Sequence, residues 1–413
     1  MDSDSPAVHG RHRRRRARRR IVLIVAAVVV LAGLSVAGVL WTRSDGASDH
    51  GQPPQARAAS SGATRSAAVT SADDSSGPSG AGASSTASST AASASATSAL
   101  TPGVAPAVSV ATPRVGPAVT VGRRPHFAAV APDGRYGYIA DPGVGALLRF
   151  STATGAVTAT IPIPQAPPQM VTFAPDGSRA YVSAYDDDYG RNYLVTVDTA
   201  AGIVFRAVPV GHGPYAAATS VDGRLIYVPY YAENYLDVLD TATGARVARI
   251  AEAPCPHWIA PTRDGRLAYT TNHFSNLVTV LDLRQNSVVR TIPVGDGPHS
   301  LELSPDGTRI ALVDYISGAL QLIDTGTDAV VATVPGIGSG PQDVTWAPDG
   351  RHLYTANVNS GTVTVVDARS GAVTDRIPTG DSPTSVAVTP DGRRAFVTNF
   401  DDGTLRVLQT AAG

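Results

Sequence analysis

Residues 341–380 read PQDVTWAPDGRHLYTANVNSGTVTVVDARSGAVTDRIPTG, and this stretch decides the fold. It opens on Pro341, passes through QDVTWA and reverses at Pro348-Asp349-Gly350. It then returns through HLYTAN, crosses a short loop, and runs through GTVTVVD to a Ser-Gly turn and VTDRIP. Val, Thr and Tyr suit a pleated, half-buried surface. Pro presets φ for a turn and Gly supplies the positive φ that closes it. No part of the stretch carries a 3.6-residue apolar period. The spacing therefore predicts four short antiparallel strands and no helix.

Outward from this stretch the same pattern repeats. Asp-Gly recurs at Asp133, Asp176, Asp222, Asp264, Asp306, Asp349 and Asp391, at intervals of 43, 46, 42, 42, 43 and 42 residues. A Pro opens each unit eight residues earlier, from Pro125 to Pro383. The longer second interval is an insertion of four residues around 185–192, because Asp198 lies 22 residues after its turn Asp where Asp240, Asp282, Asp324 and Asp367 lie 18 after theirs. Four strands per 42 residues is the period of a β-propeller blade, and seven units predict seven blades. The last unit has three strands before the chain stops, and residues 117–122, PAVTVG, match the fourth-strand pattern. This segment is expected to complete the last blade and close the ring.

The blade's second strand carries a recognisable motif: Tyr269-Thr270-Thr271-Asn272, Tyr354-Thr355-Ala356-Asn357 and Phe396-Val397-Thr398-Asn399, with SPDG, APDG and TPDG turns. These residues resemble the YVTN-type, YncE-like seven-bladed β-propeller repeat family across all seven units. The motif is degenerate in the first three, where Asp141, Ala184 and Tyr230 replace Asn. The resemblance implies an extracytoplasmic binding or surface protein. Similar propellers also carry lactonase, haem or copper chemistry, and fold does not choose among these.

The segments before the repeats set the compartment. Residues 1–20 hold eight Arg against two Asp and read as a cytoplasmic basic tail. Residues 21–41 hold no charge and meet the length of about 20 apolar residues that crosses a bilayer. With the Arg block before it, this run is expected to be a single-pass signal anchor with its N-terminus in the cytoplasm; a cleaved signal peptide is the other reading. Residues 42–113 are rich in Ala, Ser and Thr and read as a disordered stalk. Residues 114–413 are expected to form the propeller, outside the cytoplasm. They hold 22 Arg, 25 Asp and three Glu, a net of −6, which fits nucleic acid poorly. The chain has no Lys, which removes Schiff-base chemistry, and one cysteine, Cys255, which removes intramolecular disulfides. Nothing in the sequence predicts self-association, so a monomer is expected.

Candidate site residues come from the face that carries the channel mouth. The residue seven before each turn Asp reads His126, Gln169, Tyr215, His257, His299, Gln342 and Thr384 around the ring. His212, Asn272 and His273 belong to the same face, as does the insertion with Tyr185, Asp186, Asp187 and Asp188; Tyr231 follows in the next blade. Glu302 stands where the other units carry Ala or Thr. One reading is a binding surface at the channel mouth for a protein, glycan or small molecule, without a cofactor. The other is a lactonase-like or metal-assisted hydrolase that uses Glu302, a general acid or base, and His299 as catalytic residues with Asn272 or Asn357, and His257, His273 and His299 as candidate metal ligands. The hydrolase requires these side chains to converge. No nucleophile elbow, HExxH or phosphate-binding motif is present.

Overall fold

The computed structural model describes residues 105–412 apart from Asp187. The basic tail, the membrane span expected at 21–41 and the stalk up to residue 104 lie outside the described residues. No described helix is long and apolar enough to cross a membrane.

The described residues form seven four-stranded antiparallel sheets. In six of them the strands follow chain order, innermost to outermost. The seventh is built from Pro383–Val388, Arg394–Asn399 and Thr404–Ala411, with Ser109–Thr120 as its outer strand. Ser109 pairs with Ala411 and Thr120 with Thr404, so the two ends of the propeller chain close one blade. The closing strand starts at Ser109, inside the stretch whose composition reads as stalk. Tertiary bonds hold that start: the Ser109 amide donates to Asp349 Oδ2 at 2.7 Å, and Ser109 Oγ lies 2.7 Å from His352 Nδ1.

The Asp-Gly turns form by one local device. Each turn Gly has φ between 64° and 76°, a region that side chains with a Cβ resist. The turn Asp accepts the amide of the residue two further on in all seven blades, as at Arg135→Asp133 (2.9 Å) and Arg351→Asp349 (3.1 Å).

Blades hold one another through apolar layers. Val344 and Trp346 of blade six pack on Val313 and Leu320 of blade five; Phe150 of blade one packs on Phe396 of blade seven, ring centroids 4.9 Å apart. Each pair of neighbouring blades shares one such buried cluster. Polar stitches supplement them near the channel. Ser300 Oγ accepts the Val344 amide, Asp343 Oδ2 the Val386 amide, and Ser385 Oγ the Ala128 amide, at 2.9 to 3.0 Å. These three side chains satisfy donors on the free edge of the next inner strand, which would otherwise be unpaired.

The insertion sits where the spacing places it, between strands Arg179–Tyr185 and Asn192–Asp198. Arg191 pairs with Asp186 at 3.1 Å inside this loop.

Candidate functional site

The inner strands and the loops after the second strands surround a cup of about 410 Å³ at one mouth of the channel. From the position seven before the turn Asp come His126, Gln169, Tyr215, His257, His299 and Gln342. Six of the seven expected ring residues therefore line the cup. Thr384 does not; its hydroxyl donates to the His126 carbonyl at 2.6 Å and is spent on joining blades seven and one. From the end of the second strand and the loop after it come Tyr185, Tyr231 and His273, all expected, and Tyr189 of the insertion. Tyr315 and Phe400 also line the cup, and sequence reasoning missed them. They stand nine residues after their turn Asp, the register already occupied by Tyr185, Tyr231 and His273. Aligning the blades on that position would have found them.

Two further expected members, Asn272 and His212, lie elsewhere. Asn272 is fully buried: its amide donates to the Ala253 carbonyl at 3.0 Å and it accepts from Thr279. It locks the blade and does not line the cup. His212 is exposed and pairs with Glu233 at 3.3 Å. Asp187 lies outside the described residues.

The histidines are oriented by main-chain carbonyls. His126 Nδ1 lies 3.0 Å from the Gln169 carbonyl, His299 Nδ1 2.7 Å from the Gln342 carbonyl, and His273 Nδ1 3.3 Å from the Pro298 carbonyl. A carbonyl only accepts, so Nδ1 carries the proton, and in a neutral ring Nε2 keeps a bare lone pair. Burial holds these rings neutral: it lowers His126 to about 4 and His299 to about 3, with the His273 ring also opposing the charging of His299. His257 is pushed well below its ordinary range by burial and by His299 and His273. The ring centroids lie 4.6 Å apart for His257 and His299, 4.9 Å for His257 and His273, and 5.6 Å for His273 and His299. His126, although on blade one, lines the same cup, and its Nε2 lies 3.1 Å from the Gln342 amide nitrogen. Cys255 lies behind His257, Sγ to Nδ1 3.9 Å, and burial raises its thiol to about 12. A thiol so protonated is a poor nucleophile.

Tyrosines form one wall. Tyr185, Tyr189, Tyr231 and Tyr215 follow one another at centroid distances of 5.5, 6.1 and 6.4 Å, and Tyr215 meets His257 edge to face at 4.4 Å. Trp258 lies beside Tyr215, centroids 6.2 Å apart.

Glu302 does not join this site. Further along the inner strands a second cavity, about 470 Å³, is lined by Phe127, Trp258 and Leu301 with Glu302 and Asp343. Glu302 and His299 line different cavities, so the two candidate catalytic residues do not converge on one site. The Glu302 carboxylate accepts the Trp346 amide at 2.7 Å, the same inner-edge role that Asp343 plays for Val386. Burial raises Glu302 to about 7; burial and the Glu302 charge raise Asp343 to about 8. Among the described residues no three His, Cys, Asp or Glu side chains are arranged to hold a metal ion.

Ser109, His352 and Asp349 are a nucleophile–base–acid set by composition only. Ser109 Oγ bonds both His352 and Asp349, so the carboxylate does not orient the imidazole from its far side. The trio is a latch for the closing strand.

Fold and mouth together define a seven-bladed β-propeller with a strand-closed ring and an aromatic–histidine cup. No family model matches the chain, and no curated protein matches it. Among solved structures, hydrazine synthase of Kuenenia stuttgartiensis is similar, with a TM-score of 0.64 and 22% identity, over 71% of this chain and 97% of that one. That likeness is one of fold.

Proposed function

We propose that this chain is an extracytoplasmic binding propeller of the YVTN type, anchored through residues 21–41, that takes its ligand in the cup. One observation carries the reading: all seven blades send side chains into one concave site, where twelve of the described residues meet. A cavity of this size with converging polar groups and aromatic walls is the usual form of a ligand pocket. The Ala107 amide donates to the Asp391 carbonyl in an Asp-Gly turn, so the chain joins the propeller on the face opposite the cup. The hydrolase alternative needed Glu302 beside His299 and is not carried further.

The reading is tested by a fragment screen using ligand-observed NMR on the full-length chain, repeated with Tyr231→Ala and His257→Ala. Binders lost in both variants support the cup. Binders that survive both and map to the outer strands or to the 186–191 loop would remove it as the binding site.

A further inference from the structure

The cup has a chemical bias that narrows its ligand. Among the described residues twelve line it, four His, five Tyr, two Gln and Phe400, with no Asp, Glu or Arg. Arg124 lies over the Phe400 ring, 5.6 Å from its centroid, and is not a lining residue. The imidazoles of His257, His273 and His299 crowd one another at 4.6 to 5.6 Å, and among the described residues no carboxylate lines the cup to neutralise them. A charged ligand would lose its hydration here without meeting a lining side chain of opposite charge among the described residues, which is costly. A wholly apolar ligand would bury the Nε2 lone pairs of His273 and His299 without giving them a donor.

What remains is an uncharged ligand that both donates and accepts. The Nε2 lone pairs of His273 and His299 are acceptors, set by the carbonyls that hold Nδ1. Tyrosine hydroxyls and glutamine amides supply groups of the opposite sense. A hydroxyl matches both kinds at once. Tyr231, Tyr315 and Phe400 line the cup, and aromatic rings supply flat apolar area for the C–H face of a saturated ring. The volume, about 410 Å³, is that of a small-ligand pocket and suits one or two such rings.

Resting on the cup as the binding site, we propose that it takes the uncharged, polyhydroxylated ring of a neutral saccharide, free or at the end of a polymer. The experiment uses the full-length chain and saturation-transfer NMR with probes that share a ring and differ in charge. Methyl glucoside and N-acetylglucosamine are neutral, glucuronate is anionic and glucosamine is cationic; immobilised dextran tests a polymer end against the free sugars. The neutral probes are expected to bind, with the charged congeners about tenfold weaker or worse. Tyr231→Ala is expected to weaken the neutral probes about tenfold. Tyr231→Phe, which keeps the ring and leaves no void, is expected to retain most of the binding. Charged congeners that bind as well as neutral ones would overturn the proposal, as would neutral binding untouched by Tyr231→Ala. If no saccharide binds while other fragments still map to the cup, the saccharide class falls and the cup stands. If fragments map elsewhere, the cup itself falls.

Discussion

At the scale of single residues, one position separates the blades by how its polarity is satisfied. Eight residues after the turn Asp, blades four, six and seven carry Asn272, Asn357 and Asn399, whereas blades one and five carry Asp141 and Asp314. Asp141 accepts four amides, from Arg123, Arg124, Gly143 and Val144, at 2.8 to 3.2 Å. Asp314 is equally buried, yet neither of its oxygens has a hydrogen-bond partner among the described residues. Burial, with Asp296 nearby, raises it to about 7. A carboxyl raised in the folded state penalises folding as pH climbs from its unfolded value through 7. Asp314→Asn is therefore expected to stabilise the propeller by about 1–2 kcal/mol at pH 8 and by less at pH 5, measured by urea unfolding at both. Destabilisation at pH 8 would show that the carboxylate is needed. The histidines act in the other direction. His299 is lowered by burial to about 3, so the unfolded chain takes up its proton first and stability falls as pH drops below about 6.5. His299→Gln is expected to make that acid loss shallower in the same titration; an unchanged slope would mean that the ring titrates as in water. Which residues occupy these positions is legible from the repeat. Whether a carboxylate there meets four amides or none depends on loop geometry that no spacing encodes.

At the scale of the element, the second and third strands of blades three, four and six are joined by a side-chain pair that starts at the last position of the motif, and blade three shows how one departure from Asn is accommodated. Asn357 donates to Thr364 Oγ1 at 3.0 Å and to the Ile337 carbonyl at 3.1 Å. In blade three the same two positions hold Tyr230 and Asp237, joined at 3.0 Å, and Arg249 grips Asp237 at 2.7 and 3.0 Å. Both pairs tie the second strand to the strands outside it, so the departure from Asn changes the chemistry and keeps the link. Removing the pair where it is buried is costly, because the surviving partner is left unsatisfied. Asn357→Ala is expected to destabilise by about 2–3 kcal/mol, with Asn357→Asp, which keeps the shape and loses the donor, costing a comparable amount. Thermal unfolding of both variants checks this, and a loss within about 0.5 kcal/mol would mean that the pair is dispensable. The loop after the second strand shows the limit of element-level reading. Tyr315 and Phe400 read as surface loop residues until the inner strands beneath them are placed.

At the scale of the whole propeller, closure is the main dependence. The outer strand of blade seven comes from the opposite end of the propeller chain, and its first residue is pinned under blade six through Asp349 and His352. Without it, the edge of Thr404–Ala411 is bare and free to pair with another chain. Deletion of residues 105–120 is expected to lower the unfolding temperature by more than about 5 °C and to produce concentration-dependent oligomers in size-exclusion chromatography. A monomer that keeps its melting temperature would show that three strands suffice. Ring geometry also explains the cup. Blades one and five are far apart along the chain, yet His126 and His299 line the same mouth because seven inner strands converge on one axis.

Period, strand count per blade, turn chemistry and the direction of closure were all legible in the chain. They follow from local causes: Gly at positive φ, Pro before the turn, and alternating β-branched residues. Six of the ring positions that line the cup were legible too, because one register on one strand maps to one depth in a propeller. Which polar residues share a cavity was settled by the folded ring alone. It parted Glu302 from His299, brought His126 to the other histidines, spent Asn272 and Thr384 on joining strands and blades, and extended the closing strand back to Ser109. Each of those outcomes rests on contacts between residues of different strands or blades, and such contacts form only when the ring is assembled.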